Sequence, residues 1–535
     1  MPNHDLFDGV DFLRGHGEEL LRRFARAHRG AVYADLRFEV VFHRSCFAND
    51  GEPRESLENE SASFGVTVWV DGAQAIAAAA RGAGNFIGTG QFGAEIGRLA
   101  LHRNKLVAAL RWGLNEAYQR ARASARAGTV LQRRSGAESL GPASGDGLRF
   151  TPVRDDVPAA FRDDPRTLDP EALKRIAREA SAGARGVSSA IVYNAVAALS
   201  ELRRELFVST AGATITQAFA FSQGDCYVVA ETPRGHQETY DTIGQQRGFE
   251  ALAEGWSGDL QPNPDLIAFA VAMAREAAEL ADAPVLNPPE RDVTVVTDPH
   301  FNALLSHEIV GHPSEADRAL KMEAAYAGRS WLLRSPTQSE VGKQIGSPML
   351  SACSDPALAG YGHYHYDHEG TPGRRVMHID RGIFRGFLNS RLTAAIMNAE
   401  PNGAARATAA CYVPLIRMSN TFFMPGADDQ AKIIAEVEHG YYVCGSQIPS
   451  IAESRENFRI SARRVYEIEH GRLGRLYRSG SVLGDSRRFF MNVDAVGSDL
   501  CLIAIPNCGK GQPMQAKRMS NGGPTLRSRA RLAGG

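Results

Sequence analysis

Three residues in one short apolar stretch have the side chains that hold and use a metal ion. They are His307, Glu308 and His312 in "LLSHEIVGHPSEAD", Leu304 to Asp317. In the H-E-x-x-H pattern, two histidines four apart project from one helical face and the glutamate between them serves as a base. Here the histidines are five apart. At about 100° per residue, such a pair diverges by about 140° on an ideal helix, so an undistorted helix rejects the site. The local sequence supplies distortion: Gly311 weakens the last turn, while Pro313 removes a backbone donor and disfavours α geometry at His312. Two geometries then bring the histidines together. A π-type turn spreads five residues over little more than one revolution; alternatively, one helix ends near Gly311 and another begins at Pro313, with Glu315 and Asp317 in its first turn.

A catalytic zinc keeps three protein ligands and one open position, so a third ligand is needed. The best candidate is Cys508 in "LIAIPNCGKGQP". Pro506-Asn507 and Gly509-Lys510-Gly511 read as a tight loop, where a thiol is not core packing and Lys510 favours a thiolate. On spacing alone, a reactive or merely exposed thiol fits equally well. "HYHYDHEGTPG" offers a second collection, with His363 and His365 on one strand face and Asp367, His368 and Glu369 behind. A solvated strand entering a Gly-Thr-Pro-Gly turn is the preferred reading, because no further spaced ligand follows. "GTGQFG" at Gly88 to Gly93 fits G-x-G-x-x-G, but it lacks a preceding buried strand and an acid about 20 residues on. It reads as a flexible loop.

The elements that must position these residues follow from periodicity. A helix is expected from Asp11 to about His28, then alternating strands through "GAVYADLRFEVVFHRSCFAND" and "SASFGVTVWVDG", with Asp71-Gly72 as a hairpin signal. These make a curled or half-covered sheet. A helix with arginines on its outer face spans about Leu99 to Arg126, followed by an exposed Gly/Ser/Arg-rich loop. Asp169-Pro170-Glu171 starts another helix, and paired strands turn at Ala211-Gly212. After a helix from Pro264 to about Leu280 comes "ADAPVLNPPERD", a proline-rich hinge, then "VTVVTD", the histidine motif and many short strands. That order predicts an α+β protein of two domains. Residues 1–287 form a mixed sheet with helices, and residues 288–535 form a strand-rich domain carrying the metal-binding helix.

Composition narrows the function. Of 535 residues, 43% are hydrophobic, enough for more than one core. Lys plus Arg number 60 and Asp plus Glu 61, so the net charge of -1 gives no pull toward nucleic acid or anionic lipid. No basic n-region with an apolar run opens the chain, and no apolar window approaches the roughly 18 residues of a membrane span. Seven cysteines, an odd count without a CxxC pair, argue against a disulfide framework. A cytoplasmic protein is expected.

"HEIVGHPSEAD" resembles the H-E-x-x-x-H-x-x-E-x-D signature of the TldD/PmbA family of metalloproteases. "YDHEGTPG" (Tyr366 to Gly373), "RMSNTFFMPG" (Arg417 to Gly426), "PNCGKGQP" and "GGPTL" (Gly522 to Leu526) look like successive family landmarks, and "YADLRFE" with "FGVTVWVDG" resembles its N-terminal region. The chain departs at Pro313, where the family commonly has Gly, at "EAD" for E-G-D, and in a long loop from Leu131 to Gly147. The resemblance implies zinc held by His307, His312 and Cys508 with Glu308 as general base. It also implies an enclosed site and a homodimer or a heterodimer with a homologue. Glu315 and Asp317 are candidates to orient a histidine or to cap a helix; Arg417 and Asn420 are candidates to line a substrate channel or to hold strands together. The expected function is zinc-dependent cleavage of extended or unfolded peptides, in maturation or degradation. The alternatives are a non-catalytic peptide-binding partner subunit and a zinc amidohydrolase acting on a small amide.

Overall fold

The computed structural model describes residues 5–28, 30–71, 87–135, 152–323, 325, 328–335 and 338–534. The N-terminal half is built on one seven-stranded sheet of β1 (Ala31–Asn49), β2 (Glu52–Asp71), β3 (Ile87–Glu95), β4 (Arg154–Val157), β5 (Ile191–Ser209), β6 (Thr214–Thr232) and β7 (Gly235–Gln245). The order is β3-β2-β1-β5-β6. β4 lies parallel to the first residues of β6, and β7 pairs with the remainder. Asp50-Gly51, with φ of 48° and 83°, turns β1 into β2, and Gly212 at φ 90° occupies the expected β5–β6 turn. The hairpin signal at Asp71-Gly72 reaches outside the described residues.

Period-two alternation in β1 sends its residues to two different environments. Leu36, Phe38 and Val40 pack against α1 (Asp8–Ala27) and α2 (Arg103–Ser135), and Cys46 and Ala48 pack under α3 (Pro170–Arg185) and α4 (Leu266–Asp282). The alternate residues Asp35, Arg37 and Glu39 are buried as well. The Arg37 guanidinium donates to the Tyr412 carbonyl at 2.8 Å, so the C-terminal half covers that face there and the sheet is not simply half-covered. Helix starts follow local chemistry: Asp169 accepts from Glu171 N–H with Pro170 at the first position, and Asp265 accepts from Ala268 N–H.

Two expectations for this half are corrected. "GTGQFG" is no loop: it lies within β3, where a Cβ at Gly88 or Gly90 would overlap the Ala121 or Ala117 carbonyl of α2. The glycines allow a helix to lie directly on a strand. α2 also continues to Ser135, through residues expected to be loop, while 136–151 fall outside the described residues.

The C-terminal half holds two larger sheets. One runs Ile383–Phe384, Val376–Asp380, Ala352–Ser354, Asn420–Phe423, Gln515–Gly523 and Cys501–Lys510. The other passes through His439–Ile451, Asp292–Thr297, Leu526–Gly534, Gly480–Asp485 and Asn457–Glu469, and the last pairs back to the first, closing a small barrel. Between them lies α5 (Pro299–Ser306), whose Phe301 and Leu305 join a core with Val443, Phe423, Met519 and Leu526. No strand ladder joins the two halves among the described residues. The fold is α+β, strand-rich and of two or more domains.

Candidate metal centre

α5 starts where Asp298 accepts from Phe301 N–H at 2.6 Å, with Pro299 in the first turn, and its α geometry ends at Ser306. His307–Gly311 then form a π turn and His312–Ser314 a 3-10 turn. Of the two geometries expected for this segment, the π turn is the one that occurs; no α-helix restarts at Pro313, since His312 keeps helical backbone angles of -61° and -44° and the next α-helix begins at Ala316, after Glu315. The wide π turn carries the chain far enough that residues five apart face each other: the His307 and His312 rings lie 4.7 Å apart at 87°. Gly311 is required inside it, because a Cβ there would overlap the Met418 sulfur.

Cys508 approaches from a distant part of the chain. It stands on the Cys501–Lys510 strand, not in a loop, just past a bulge that breaks the ladder between Ile505 and Cys508. A bulge re-aims a side chain, and here the sulfur comes 3.5 Å from His312 Nε2. His307, His312 and Cys508 each offer one donor atom, and these atoms all lie within 4.8 Å of one another; all three residues are buried. Two imidazole nitrogens and one sulfur form a donor set that zinc favours, and three protein ligands leave a fourth position. The residues therefore fit a zinc ion.

The other ring nitrogens are engaged, which fixes the tautomers. His307 Nδ1 lies 2.9 Å from Asn521 Oδ1, and the Asn521 amide donates in turn to the Thr421 carbonyl at 3.1 Å. His312 Nδ1 lies 3.1 Å from Glu315 Oε2, which also accepts from Arg318 Nε at 2.8 Å and Lys510 Nζ at 3.1 Å. Burial would raise the Glu315 carboxyl, but Lys510, His312 and Arg318 hold it well below the usual carboxylate range. Burial would raise the Cys508 thiol too; His307, His312 and Arg417 outweigh it and hold the thiol well below its ordinary value. His307 answers in the opposite sense, its burial outweighed by Cys508, and rises to about 9. Each group thus favours the charged form of the other, the thiolate of Cys508 and the imidazolium of His307.

Glu308 is buried and its carboxylate meets the Arg455 guanidinium. Asp317 touches neither histidine: it accepts from Lys510 Nζ at 2.7 Å and from Arg318 N–H at 2.9 Å. Glu315 makes no side-chain cap to the short helix it precedes. Lys510 spends its ammonium on Glu315, Asp317 and the Ile416 carbonyl, so the expectation that it stabilises the thiolate is not met. Arg417 and Asn420 are buried among the strands. Arg417 donates to the carbonyls of Cys508 and of Gln515, fixing the strand that presents the sulfur. Asn420 donates to the Asp355 and Leu358 carbonyls and accepts from Gly362 N–H.

The second histidine cluster forms turns, not a strand. Asp367 accepts three backbone N–H groups and His368 pairs with Glu205 at 3.2 Å; among the described residues, these side chains join no metal-ligating group. Two clefts share Pro506 on the strand that carries Cys508, though neither is lined by His307, Glu308, His312 or Cys508. One of about 340 Å³ is lined by Arg203, Phe219, Phe221, Arg518 and Pro506 among others, and one of about 460 Å³ by Tyr240, His300, Leu304, Ile448 and Pro506 among others. Both reach the bulged strand two residues before Cys508. Sequence reasoning missed Asn521, which immediately precedes the "GGPTL" landmark, and Arg455, for which no local pattern gives a signal.

A model described as the PmbA/TldA metallopeptidase central domain matches residues 163–283, and one described as the C-terminal domain matches residues 290–534. A metalloprotease of Methanothermobacter thermautotrophicus is 29% identical over 323 residues, 60% of this chain and 67% of that protein. A zinc metalloprotease TldD homolog of Saccharolobus solfataricus is 28% identical over 250 residues, 46% of this chain and 53% of its own length. The chain thus spans between half and two thirds of these relatives. The crystal structure of TldE from Thermococcus kodakarensis shares the fold, with a TM-score of 0.62, 14% identity and coverage of 98% of this chain and 100% of that one. With both models matched in order along most of its length, the chain belongs to the PmbA/TldA metallopeptidase family.

Proposed function

We propose that this protein is a zinc-dependent metallopeptidase that hydrolyses extended or unfolded peptides, with His307, His312 and Cys508 as metal ligands and Glu308 as general base. The observation that carries the reading is the convergence of those three donor atoms within 4.8 Å, from segments about 200 residues apart, beside a buried glutamate. Bound zinc supplies a Lewis acid that polarises a peptide carbonyl and acidifies water. Around it, Asn521 and Glu315 each take the Nδ1 proton of one histidine and leave the Nε2 atoms to ligate. Arg417 steadies the Cys508 carbonyl and hence the sulfur. Glu308 accepts a proton from the attacking water on its carboxylate and passes it to the departing amine. The two clefts meeting at Pro506 support a substrate laid along the Cys501–Lys510 strand, read through main-chain hydrogen bonds with little sequence selectivity.

The same reading places the domain boundary at residues 287/288, within the proline-rich hinge, and the assembly as a homodimer or a heterodimer with a homologue. Seven unpaired cysteines support a reducing, cytoplasmic setting, and among the described residues no helix is long and apolar enough to cross a membrane. The test is zinc per chain by elemental analysis, beside hydrolysis of an unstructured peptide library. About one zinc, lost in Cys508→Ala and in His312→Ala together with hydrolysis, is the expected result. A chain that takes up no zinc on reconstitution sinks the proposal.

A further inference from the structure

Arg455 sits at the tip of the hairpin between the His439–Ile451 and Asn457–Glu469 strands, in the left-handed region at φ 64° and 5% exposed. That backbone conformation is uncommon for a residue with a long side chain, and the surroundings hold it in place. Arg455 N–H donates to the Ala452 carbonyl at 2.8 Å, and the Arg455 carbonyl accepts from Ser486 Oγ at 2.9 Å. The neighbouring carbonyls of Glu453 and Ser454 accept from Arg329 and Trp331 N–H at 3.2 and 3.0 Å. A turn fixed from three sides thus delivers a guanidinium to Glu308 Oε2.

Glu308 needs such a partner for two reasons. It is 7% exposed, and a buried carboxylate without a counter-charge is costly. It also directly follows a metal-ligand position, and an anionic oxygen is itself a good ligand for a divalent cation. The mutually close donor atoms nevertheless belong to His307, His312 and Cys508, without Glu308. Were the carboxylate to ligate, the open position of the site would close and the base would be lost. An arginine suits the opposing task, since its charge is permanent and its planar fork sets direction as well as sign.

We propose that Arg455 is a positioning residue that holds the Glu308 carboxylate off the metal and so reserves it for proton transfer. The proton-transfer half rests on the function proposed above; the holding half is read directly at the metal. The experiment loads the wild type, Arg455→Gln, Arg455→Lys and the double variant Glu308→Gln/Arg455→Gln with Co²⁺, recording visible spectra and affinities. Arg455→Gln is expected to bind Co²⁺ about tenfold tighter, with the weaker visible bands of a higher coordination number. The double variant is expected to return to the wild-type spectrum, and Arg455→Lys to keep it. Peptide turnover in Arg455→Gln then falls through kcat, with KM little changed.

A wild-type spectrum and affinity in Arg455→Gln overturn the proposal while leaving the metal reading intact. If Arg455→Gln does not fold but the double variant does, the charge pairing is supported and Arg455→Lys supplies the spectrum. If neither folds, Arg455 serves the hairpin and the proposal falls. A wild type that takes up neither Co²⁺ nor Zn²⁺ removes the metal reading and this proposal with it.

Discussion

Glu308, Asn521 and His307 hold different parts of the chemistry, and substitutions separate them. Glu308→Gln keeps the donor set whole, so zinc content is expected to stay near that of the wild type while peptide hydrolysis falls about a hundred- to ten-thousandfold. Turnover at the wild-type rate in that variant would refute its role as base. Asn521→Ala leaves the His307 Nδ1 proton without its acceptor, and zinc affinity measured by chelator competition is expected to fall about 10- to 100-fold. The pH behaviour follows from the His307–Cys508 pair. Taken alone, His307, raised from 6.5 to about 9, stabilises the fold fully below pH 6.5 and loses that contribution as pH rises through about 9. Cys508, held below 9, contributes above pH 9 and loses its contribution as pH falls through its lowered value. Between about 6.5 and 9 the folded metal-free site holds a proton on His307 that the unfolded chain lacks, while the Cys508 thiol shifts in the opposite sense. The two contributions therefore run in opposite directions with pH. Metal uptake in the same window displaces the His307 proton, about one per zinc. Calorimetric titrations in buffers of differing ionisation enthalpy read that release, and none at all contradicts the pairing.

At the scale of elements, the π turn and the α2–β3 contact both depend on glycine. Gly311→Ala sets a Cβ against the buried Met418 sulfur in the turn that brings the histidines together. Overpacking of this kind costs about 1–3 kcal/mol, so a lowered melting temperature is expected along with reduced zinc content. Full zinc occupancy with unchanged stability would show that the turn tolerates a side chain. Gly88 and Gly90 explain why "GTGQFG" misleads: alternate glycines on one face of a strand and closely spaced glycines in a phosphate loop give the same pattern of letters. Only the alanine carbonyls of α2 lying across them distinguish the two.

Across the whole molecule, largely buried ion pairs tie the two halves together where, among the described residues, no strand ladder does. Arg463, on the barrel strand Asn457–Glu469, meets Asp241 of β7 at 2.6 Å and Glu276 of α4 at 3.2 Å, and His300 of α5 meets the same Asp241 at 2.9 Å. Arg518, beside the metal-bearing strand, meets Glu201 of β5 at 2.6 Å. Arg463→Ala leaves Asp241 to His300 and Glu276 to Arg464 at 3.7 Å, so it is expected to cost about 1.5–3 kcal/mol in chemical denaturation. A loss below about 1 kcal/mol would mean that water compensates the acids and that the halves are held by packing.

Local information in the chain was enough for the elements and their chemistry. Asp169-Pro170 and the alternation of β1 act within a few residues, so that helix start and the α+β order were legible. His307, Glu308 and His312 announce a site because their types are few and close together. Partnership across the chain is another matter, since the energy that selects it comes from contacts between segments with no sequence relation. The prolines and glycines around Cys508 mark a break that in sequence looks like a loop, and the fold uses that break as a bulge within a strand. Lys510 and Arg417 drew functional readings from their charge, yet burial assigns them to Glu315, Asp317 and backbone carbonyls. Arg455 reaches Glu308 from 147 residues away. That pairing exists only once the barrel has closed, and the folded chain alone shows it.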